Sequence, residues 1–245
     1  MAGGRGARVS ERRWWIVASI AALCAVVLAR VLGPSDLWDQ TQPRTIAYTI
    51  DIVAHGGEHW ILPREPNGHA ATKPPLYNWL AVPSVTIFGP VSDLAHKVPS
   101  ITALLLLWLM VVVVGNRLDT PRRMLGSIAG IVLVCCYPMF KLGYLARPDM
   151  VLTLLLDVGW LSATMVLLFP VCGARRRWLI AAFWIAAAGA VLAKGPPVLA
   201  LMLAVPAMAR WGGTSWSDAA RLCWSIGVPA VVLVAASWIV GVWWI

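Results

Sequence analysis

Seven apolar stretches dominate this chain of 245 residues and limit the folds that it can adopt. A helix that crosses the hydrocarbon core of a bilayer needs about 20 predominantly apolar residues. Because backbone polar groups find no water in that core, such stretches predict membrane-spanning helices. We therefore predict an all-α membrane protein with about seven transmembrane helices. The stretches are residues 14–33, 98–116, 124–140, 150–172, 178–193, 196–209 and 222–245, of which 124–140, 178–193 and 196–209 are short for a span.

The composition agrees with a membrane location. Hydrophobic residues make up 60% of the chain and charged residues only 13%, with a mean hydropathy of +0.75. A soluble domain is nearer half apolar and a quarter charged. The net charge of +9 is assigned to cytoplasmic loops, so no nucleic-acid partner is expected. The five cysteines lie in or beside apolar segments and are interpreted as small core residues.

The order of the segments predicts the domain organisation. Residues 1–13 are basic and precede the first apolar stretch, which lacks a convincing cleavage site and is interpreted as an uncleaved helix at 14–33. A polar outer loop with juxtamembrane helices follows at 34–97, and helices 2–7 occupy 98–245. We place the N-terminus in the cytoplasm and the protein in the inner membrane.

The segment 76–90 is the ambiguous one. Fifteen helical residues reach roughly 22 Å, whereas the hydrocarbon core is about 30 Å thick. Pro83 also removes a hydrogen bond from the helix. Length and proline therefore both favour a helix that lies at the outer leaflet without crossing it.

The distribution of arginine and lysine gives an independent test of this segment, because cytoplasmic loops are enriched in both. If 76–90 does not span, twelve basic residues face the cytoplasm and seven face outward; if it spans, the numbers become eight and eleven. The non-spanning topology is favoured. Its inner residues are Arg5, Arg8, Arg12, Arg13, Arg117, Arg122, Arg123, Arg175, Arg176, Arg177, Arg210 and Arg221, and its outer ones are Arg44, Arg64, Lys73, Lys97, Lys141, Arg147 and Lys194.

This topology brings the unusual polar residues to one face of the membrane. The loop 34–97 and the turns at 141–149 and 193–197 all emerge on the outer side. Asp39, in SDLWDQTQPRT, follows the first helix directly. A carboxylate that is partly desolvated there is a candidate general base. A helix cap or a solvated loop acid is the alternative interpretation.

Lys73, in HAATKPPLYNWL, precedes two prolines that favour the start of a helix. A cation beside the positive end of a helix can bind an anion, although a lysine there can also extend toward lipid headgroups. Arg147 and Asp149, in ARPDM, stand at the start of the fourth helix. Lys194 ends the fifth helix and can either contact a phosphate or simply terminate the helix.

HGGEH (55–59) is the segment with metal-ligand residue types. Two histidines at positions i and i+4 of a helix can chelate zinc. Because Gly56 and Gly57 interrupt a regular helix, we expect no metal site, and the residues do not require a divalent metal.

Taken together, the early acid, WILP (60–63), KPPLYNWL (73–80), RPDM (147–150) and the KGP turn (194–196) resemble membrane glycosyltransferases of the C-type (GT-C) fold. The resemblance is greatest to the aminoarabinose transferases of lipid A and the dolichyl-phosphate-mannose protein mannosyltransferases, the enzymes of lipopolysaccharide or protein glycosylation. It covers residues 14–210.

The resemblance implies a multi-helix bundle that moves a sugar from a polyprenyl-phosphate carrier to a lipid, glycan or protein acceptor on the outer face, with inversion. It implies Asp39 as base, with Asp149 in the same catalytic pocket, and Lys73, Arg147 and Lys194 as contacts to the donor phosphate. Asp51 is the alternative acid. No cofactor other than the donor is implied.

The chain departs from the family pattern in three places. Gln40 follows Asp39 where the family usually has glutamate, and a gapless count back from WILP would put Thr41 in the acid's place. Thr72 stands where some relatives have a glutamate that helps bind zinc. The family usually has more helices and a C-terminal outer domain, so we expect an N-terminal fragment. A transporter or lipid flippase, and a non-catalytic membrane subunit, are the competing functions.

Overall fold

The structure is a computed structural model that describes residues 3–33, 41–119, 124–211 and 222–245. Within these ranges the chain is almost wholly helical, which confirms the all-α prediction. Within the described chain, Arg64 and Ala70 form an isolated antiparallel β-bridge. The helices are α1 (Gly3–Leu32), α2 (Thr41–His55), α3 (Leu76–Phe88), α4 (Asp93–Leu118), α5 (Leu125–Cys135), α6 (Tyr137–Leu142), α7 (Asp149–Leu168), α8 (Gly173–Lys194), α9 (Val198–Trp211) and α10 (Trp224–Trp244), with a 3₁₀ turn at Gly57–Trp60.

Five of the described helices are long and apolar enough to cross a membrane, namely Arg13–Leu32 of α1, α4, α7, α8 and α10. They correspond to five of the seven predicted stretches. The stretch 124–140 is divided at Cys136, whose extended backbone separates α5 from α6. The short stretch 196–209 corresponds to the 14-residue helix α9.

Helix α3 lies between α2 and α4. The Asn78 side chain donates to the Thr45 carbonyl of α2 at 2.8 Å. The Ser84 hydroxyl donates to the Ala95 carbonyl of α4 at 2.7 Å. With 13 residues, α3 is about 20 Å long, too short to cross the bilayer. The structure therefore agrees with the non-spanning interpretation of this segment, while the side of the membrane on which it lies stays a prediction.

Helix α7 joins the two buried clusters of the bundle. Leu152 and Ala163 pack with Phe183 and Trp184 of α8 in one cluster. Met150 packs in the other cluster, against α1, α3 and α4. Because lipid tails are as apolar as these side chains, close packing and hydrogen bonds hold such helices together. The first turn of α7 is consequently fixed from both sides.

The five cysteines correct one expectation. All of them have exposed side chains on this chain and are not core residues. They lie at helix ends or on helix faces that the described part of the chain does not cover, which an apolar sequence context alone cannot distinguish from burial.

Helices α4 and α5 approach closely through glycine. A methyl group added to Gly126 would lie 2.3 Å from the Val112 carbonyl oxygen and 2.4 Å from the Asn116 nitrogen. The neighbouring Ser127 amide donates to the Asn116 side chain at 3.2 Å, and that side chain donates to the Ser127 hydroxyl at 3.0 Å. The contact needs a residue without a side chain because backbone atoms cannot move aside.

We therefore expect Gly126→Ala to separate α4 from α5 and to lower the free energy of unfolding by about 1–3 kcal/mol, the usual cost of overpacking. Thermal unfolding in detergent measures the change. Gly189→Ala is the control, since the added methyl would meet only the flexible side chain of Leu155, at 3.1 Å. Equal unfolding temperatures for the two variants would contradict the packing argument.

Candidate functional site

Asp149 is the centre of a charged cluster at one end of the bundle. As the first residue of α7, it accepts a hydrogen bond of 2.5 Å from the ammonium of Lys194, the last residue of α8. The guanidinium Nε of Arg147 lies 3.0 Å from its other oxygen. The pair joins two helices whose residues are 45 positions apart in the chain. The three side chains are between 17% and 31% exposed, so water screens them only in part.

Lys73 completes the cluster without a direct partner among the described residues. Its ammonium is exposed and acts on Asp149 electrostatically, in the sense that favours the carboxylate. Three cations thus surround one carboxylate, and the cluster carries an excess of two positive charges. Such an excess attracts a doubly or singly charged anion such as a phosphate.

The loop between α6 and α7 is held by polar side chains from neighbouring helices. The Tyr77 hydroxyl of α3 lies 3.3 Å from the Leu145 carbonyl oxygen, and Ser100 of α4 donates to the same carbonyl at 2.5 Å. The Ala146 amide donates to the Gln42 side chain at 3.0 Å. Burial raises the pKa of Tyr77, so its hydroxyl stays protonated as a donor. These bonds place Arg147 and Asp149 beside α2 and α3.

Lys97 of α4 packs against Tyr144 of the same loop. Predicted as an outer-loop residue, it lies in the first turns of α4 and is fully buried. Its ammonium donates to Asp93 at 2.6 Å and lies 4.4 Å from the ring centre of Tyr144. The buried charge is therefore paired and packed, which indicates a structural role for Lys97.

A cleft of about 560 Å³ opens beside the cluster. It lies between α2, the segment 65–74 and the start of α7. Lys73 and Arg147 are part of its wall, so two of the three cations of the cluster face the cleft. Other polar residues of the wall include Arg44, Tyr48, Glu65 and Asn78.

Glu65 and its partners were not singled out from the sequence. The Glu65 carboxylate accepts a hydrogen bond of 3.1 Å from the Tyr48 hydroxyl and lies 3.5 Å from Arg44. Burial and the neighbouring carboxylate raise the pKa of Tyr48. Arg44 and Tyr48 are spaced i, i+4, so both lie on one face of α2. This spacing was the sequence signal that could have identified the pair. Glu65 itself reaches the cleft through a tight hairpin that the sequence did not reveal.

The structure brings together four of the six predicted site residues. Lys73, Arg147, Asp149 and Lys194 form the cluster described above. Asp39 lies outside the described residues, two positions before α2 begins at Thr41.

Asp51 is placed elsewhere and is not among the residues that line the cleft. Its carboxylate contacts the rings of His55 and His59 and accepts the Arg64 amide at 2.8 Å. Burial acts to raise the pKa of Asp51, but the Arg64 amide and the histidines outweigh it and hold that pKa below its usual value.

The glycine pair of HGGEH has a second effect besides the expected one. It ends α2 at His55, as predicted, but it also folds the chain back and brings His59 beside His55. Their rings stack with centres 4.8 Å apart. The glycines thus interrupt the helix as predicted, and the two histidines converge on Asp51 without a continuous helix between them.

A second, more apolar cleft of about 370 Å³ lies at the opposite end of the bundle. Arg117 at the end of α4 and Arg175 at the start of α8 contribute its basic groups. The rest of its wall comes mainly from apolar side chains of α4, α7 and α8. The two ends of the bundle thus both offer positive charge, but among the described residues that line the two clefts an acid, Glu65, is present only in the first.

The arrangement of the described helices has the GT-C fold, the class that the motifs predict. A crystal structure of ArnT from Cupriavidus metallidurans in the apo state matches with a TM-score of 0.72 and 21% identity, over 93% of this chain and 41% of that chain. The ArnT structure bound to undecaprenyl phosphate matches with a TM-score of 0.71 and 21% identity, over 92% of this chain and 40% of that chain. The chain thus spans less than half the length of ArnT, and the likeness shows the fold. No protein-family profile and no curated protein matches this chain.

The ion pair between α7 and α8 is directly testable. We expect Asp149→Asn to lower the free energy of unfolding by about 1–3 kcal/mol, because it leaves Lys194 and Arg147 half-buried without their carboxylate. Lys194→Met should lower the free energy of unfolding less in the Asp149→Asn variant than in the wild-type chain. A double-mutant cycle followed by thermal unfolding measures the coupling.

Lys141→Met is the matched control, since Lys141 is an exposed lysine at the same end of the bundle, eight residues before Asp149. It should show no coupling to Asp149→Asn. Additive effects of Asp149→Asn and Lys194→Met would mean that the pair does not hold the two helices together.

Proposed function

We propose that this chain is a membrane glycosyltransferase that uses a polyprenyl-phosphate-linked sugar as donor. The observation that carries the proposal is the cationic cluster beside the cleft, in which Lys73 has no direct partner within the described residues. The GT-C fold supports it, as does the structure of ArnT with undecaprenyl phosphate bound. The motifs KPPLYNWL and RPDM supply three members of the cluster, Lys73, Arg147 and Asp149.

Within this proposal the cations have different tasks. Lys73 contacts the donor phosphate directly, since its ammonium is exposed at the cleft. Arg147 also faces the cleft but is already bound to Asp149, as is Lys194. We assign Asp149 a positioning role: it holds the two other cations at the phosphate site. A carboxylate engaged by two cations is a weak base, so it is a poor candidate for accepting the acceptor's proton.

Asp39 remains the proposed base. It would take the proton from an acceptor hydroxyl while that oxygen forms a bond to the anomeric carbon of the sugar. The bond from this carbon to the phosphate oxygen breaks, and the electron pair leaves with the polyprenyl phosphate. Direct displacement inverts the anomeric centre. The enzyme contributes orientation and charge stabilisation, because the phosphate is already a good leaving group.

The lipid carrier also determines where the reaction would take place. A polyprenyl chain keeps its phosphate at the membrane surface, and the cleft lies at a helix-end surface of the bundle. We propose that this end faces outward from the cytoplasmic (inner) membrane, because the arginine-rich loops are at the other end. A lipid, a glycan or a protein could each serve as acceptor.

Transport is the second candidate, and one residue favours it. Asp157 lies within α7, about 12 Å from Asp149 along the helix, and forms no hydrogen bond or ion pair with the described residues. An acid inside a membrane span is a candidate for ion or substrate movement. The other charged groups gather at the two ends of the bundle, whereas transporters bind near the middle of the membrane. The glycosyltransferase therefore fits better.

The phosphate contact gives the first test. We expect Lys73→Ala to weaken binding of undecaprenyl phosphate about 10–100-fold, the loss of one charge-assisted hydrogen bond. Binding is measured by native mass spectrometry or fluorescence titration with the purified chain in nanodiscs.

Lys141→Ala removes an exposed lysine outside the cleft at the same end of the bundle and is the control. It should bind the lipid like the wild-type chain. If the two alanine variants bind equally well, the lipid is held by bulk charge and the proposed phosphate site is wrong.

The assignment of the base gives the second test. We expect Asp39→Asn to slow sugar transfer by about 10²–10⁴-fold, the usual contribution of a general base, with unchanged expression and lipid binding. The assay follows radiolabelled aminoarabinose or mannose from undecaprenyl phosphate in membranes that contain the chain.

Asp36→Asn is the matched control, because Asp36 lies three residues earlier in the same polar segment. It should retain transfer. Near-normal transfer by Asp39→Asn would rule out the assigned base, and Glu65, the carboxylate that lines the cleft, would then be substituted next, followed by Asp51.

A further inference from the structure

Three potential metal ligands converge at the end of α2, outside the proposed phosphate cleft. The Nδ1 atom of His55 lies 2.9 Å from one oxygen of Asp51, and the Nδ1 atom of His59 lies 2.7 Å from the other. One ligand atom from each of the three residues can be chosen so that all lie within 4.8 Å of one another. Two imidazoles and a carboxylate so close together are a common ligand set for zinc.

The backbone shows why the three side chains meet. Gly56 and Gly57 have positive φ angles of 63° and 54°, a region that glycine adopts without strain. Nothing lies within 4 Å of a Cβ added at either position, so backbone conformation and not space requires glycine here. The two glycines end α2 and lead into the 3₁₀ turn, which returns His59 to the side of Asp51.

The turn is anchored from outside the cluster. The Trp79 indole of α3 donates to the Trp60 carbonyl at 2.7 Å. The Trp238 indole of α10 donates to the Ile61 carbonyl at 3.2 Å. Ligands that are fixed before a metal binds need not be ordered by it, which favours affinity. The turn that carries His59 is therefore held in place by helices outside the cluster.

We propose that Asp51, His55 and His59 form a binding site for a divalent transition metal, with zinc as the best match. Zinc accepts imidazole nitrogen and carboxylate oxygen in a tetrahedral arrangement, and three protein ligands leave the fourth position for water. The exposed His55 side chain gives the ion access from solvent. The Arg64 backbone amide, which donates to Asp51, would help to orient the carboxylate toward the ion.

Zinc binding needs only a small rearrangement of the metal-free geometry. Both Nδ1 atoms donate to the ionised carboxylate, so each contact holds one proton, and a divalent ion would replace both. Ligand atoms of a tetrahedral zinc ion lie about 3.4 Å apart, so the two nitrogen–oxygen contacts would widen by roughly half an ångström. The widest separation among the three ligand atoms, at most 4.8 Å, would close by up to about 1.4 Å.

The site has a consequence for the neighbouring hairpin. Residues 63–71 pair with each other through the Glu65 amide and the Ala71 amide, which donate to the His69 and Pro63 carbonyls. The hairpin begins directly after the 3₁₀ turn and carries Glu65 into the cleft wall. A metal that joins Asp51 to His59 would secure the start of the hairpin against α2. Its role is structural, so it is independent of the proposed sugar transfer.

The first experiment measures metal binding to the purified chain in detergent. After treatment with EDTA and its removal, the wild-type chain is titrated with zinc chloride by calorimetry, and bound zinc is counted by elemental mass spectrometry. We expect one zinc per chain. Asp51→Asn, His55→Ala and His59→Ala should each bind at least tenfold more weakly. Glu58→Gln, an exposed acid of the same turn, should bind like wild type. Failure of the wild-type chain to bind zinc, or equal binding by all four variants, would overturn the site.

A second measurement uses the wild-type chain, so it tests the site even if the substituted variants fail to fold. Diethyl pyrocarbonate acylates the free lone pair of an imidazole. Without metal, the ring proton of His55 and His59 is on Nδ1, so Nε2 has a free lone pair and can react. When zinc binds Nδ1, the ring proton moves to Nε2 and blocks the reaction. We expect zinc to protect both histidines, mapped by peptide mass spectrometry, while His69 stays reactive. Equal labelling of the three histidines with and without zinc would contradict the proposal, even if the chain binds zinc elsewhere.

Discussion

The ion pair between Asp149 and Lys194 is the interaction on which the proposed site depends. It joins the start of α7 to the end of α8, two long helices that also share a buried apolar cluster. Because Arg147 shares the same carboxylate, one acid binds two cations, of which Arg147 lines the cleft. Without that acid, three cations would repel one another beside a membrane surface. The carboxylate thus permits a concentration of positive charge that the fold could not otherwise hold in one place.

The sequence predicted the long helices and much of the cluster, for clear physical reasons. Apolar stretches of sufficient length and the arginine-rich loops predict helices and their order, and they grouped Lys73, Arg147, Asp149 and Lys194 at one end. Membrane topology does not specify which side chains touch. The pairing of Asp149 with Lys194 depends on the packing of α7 against α8, and the entry of Glu65 into the cleft depends on a hairpin stabilised by backbone hydrogen bonds. Neither has a periodic signature in the sequence.

HGGEH shows how a correct local prediction leaves the spatial arrangement of the side chains open. Glycine does interrupt the helix, but positive φ angles at two successive glycines also reverse the chain, so that His59 returns to Asp51. Asp51 thereby changes from an alternative base into a proposed metal ligand. The described segment that follows α1 then takes part in two separate proposed tasks: one cluster binds a phosphate and the other secures the hairpin beside it.

The most direct test of the phosphate site is a cryo-electron microscopy structure of the chain in nanodiscs with undecaprenyl phosphate. We expect density for the phosphate within hydrogen-bond distance of the Lys73 ammonium, beside Arg147, with Asp149 still bound to Lys194. A phosphate bound instead at the opposite cleft, between Arg117 and Arg175, would contradict this expectation, because the proposed phosphate site is at Lys73 and Arg147.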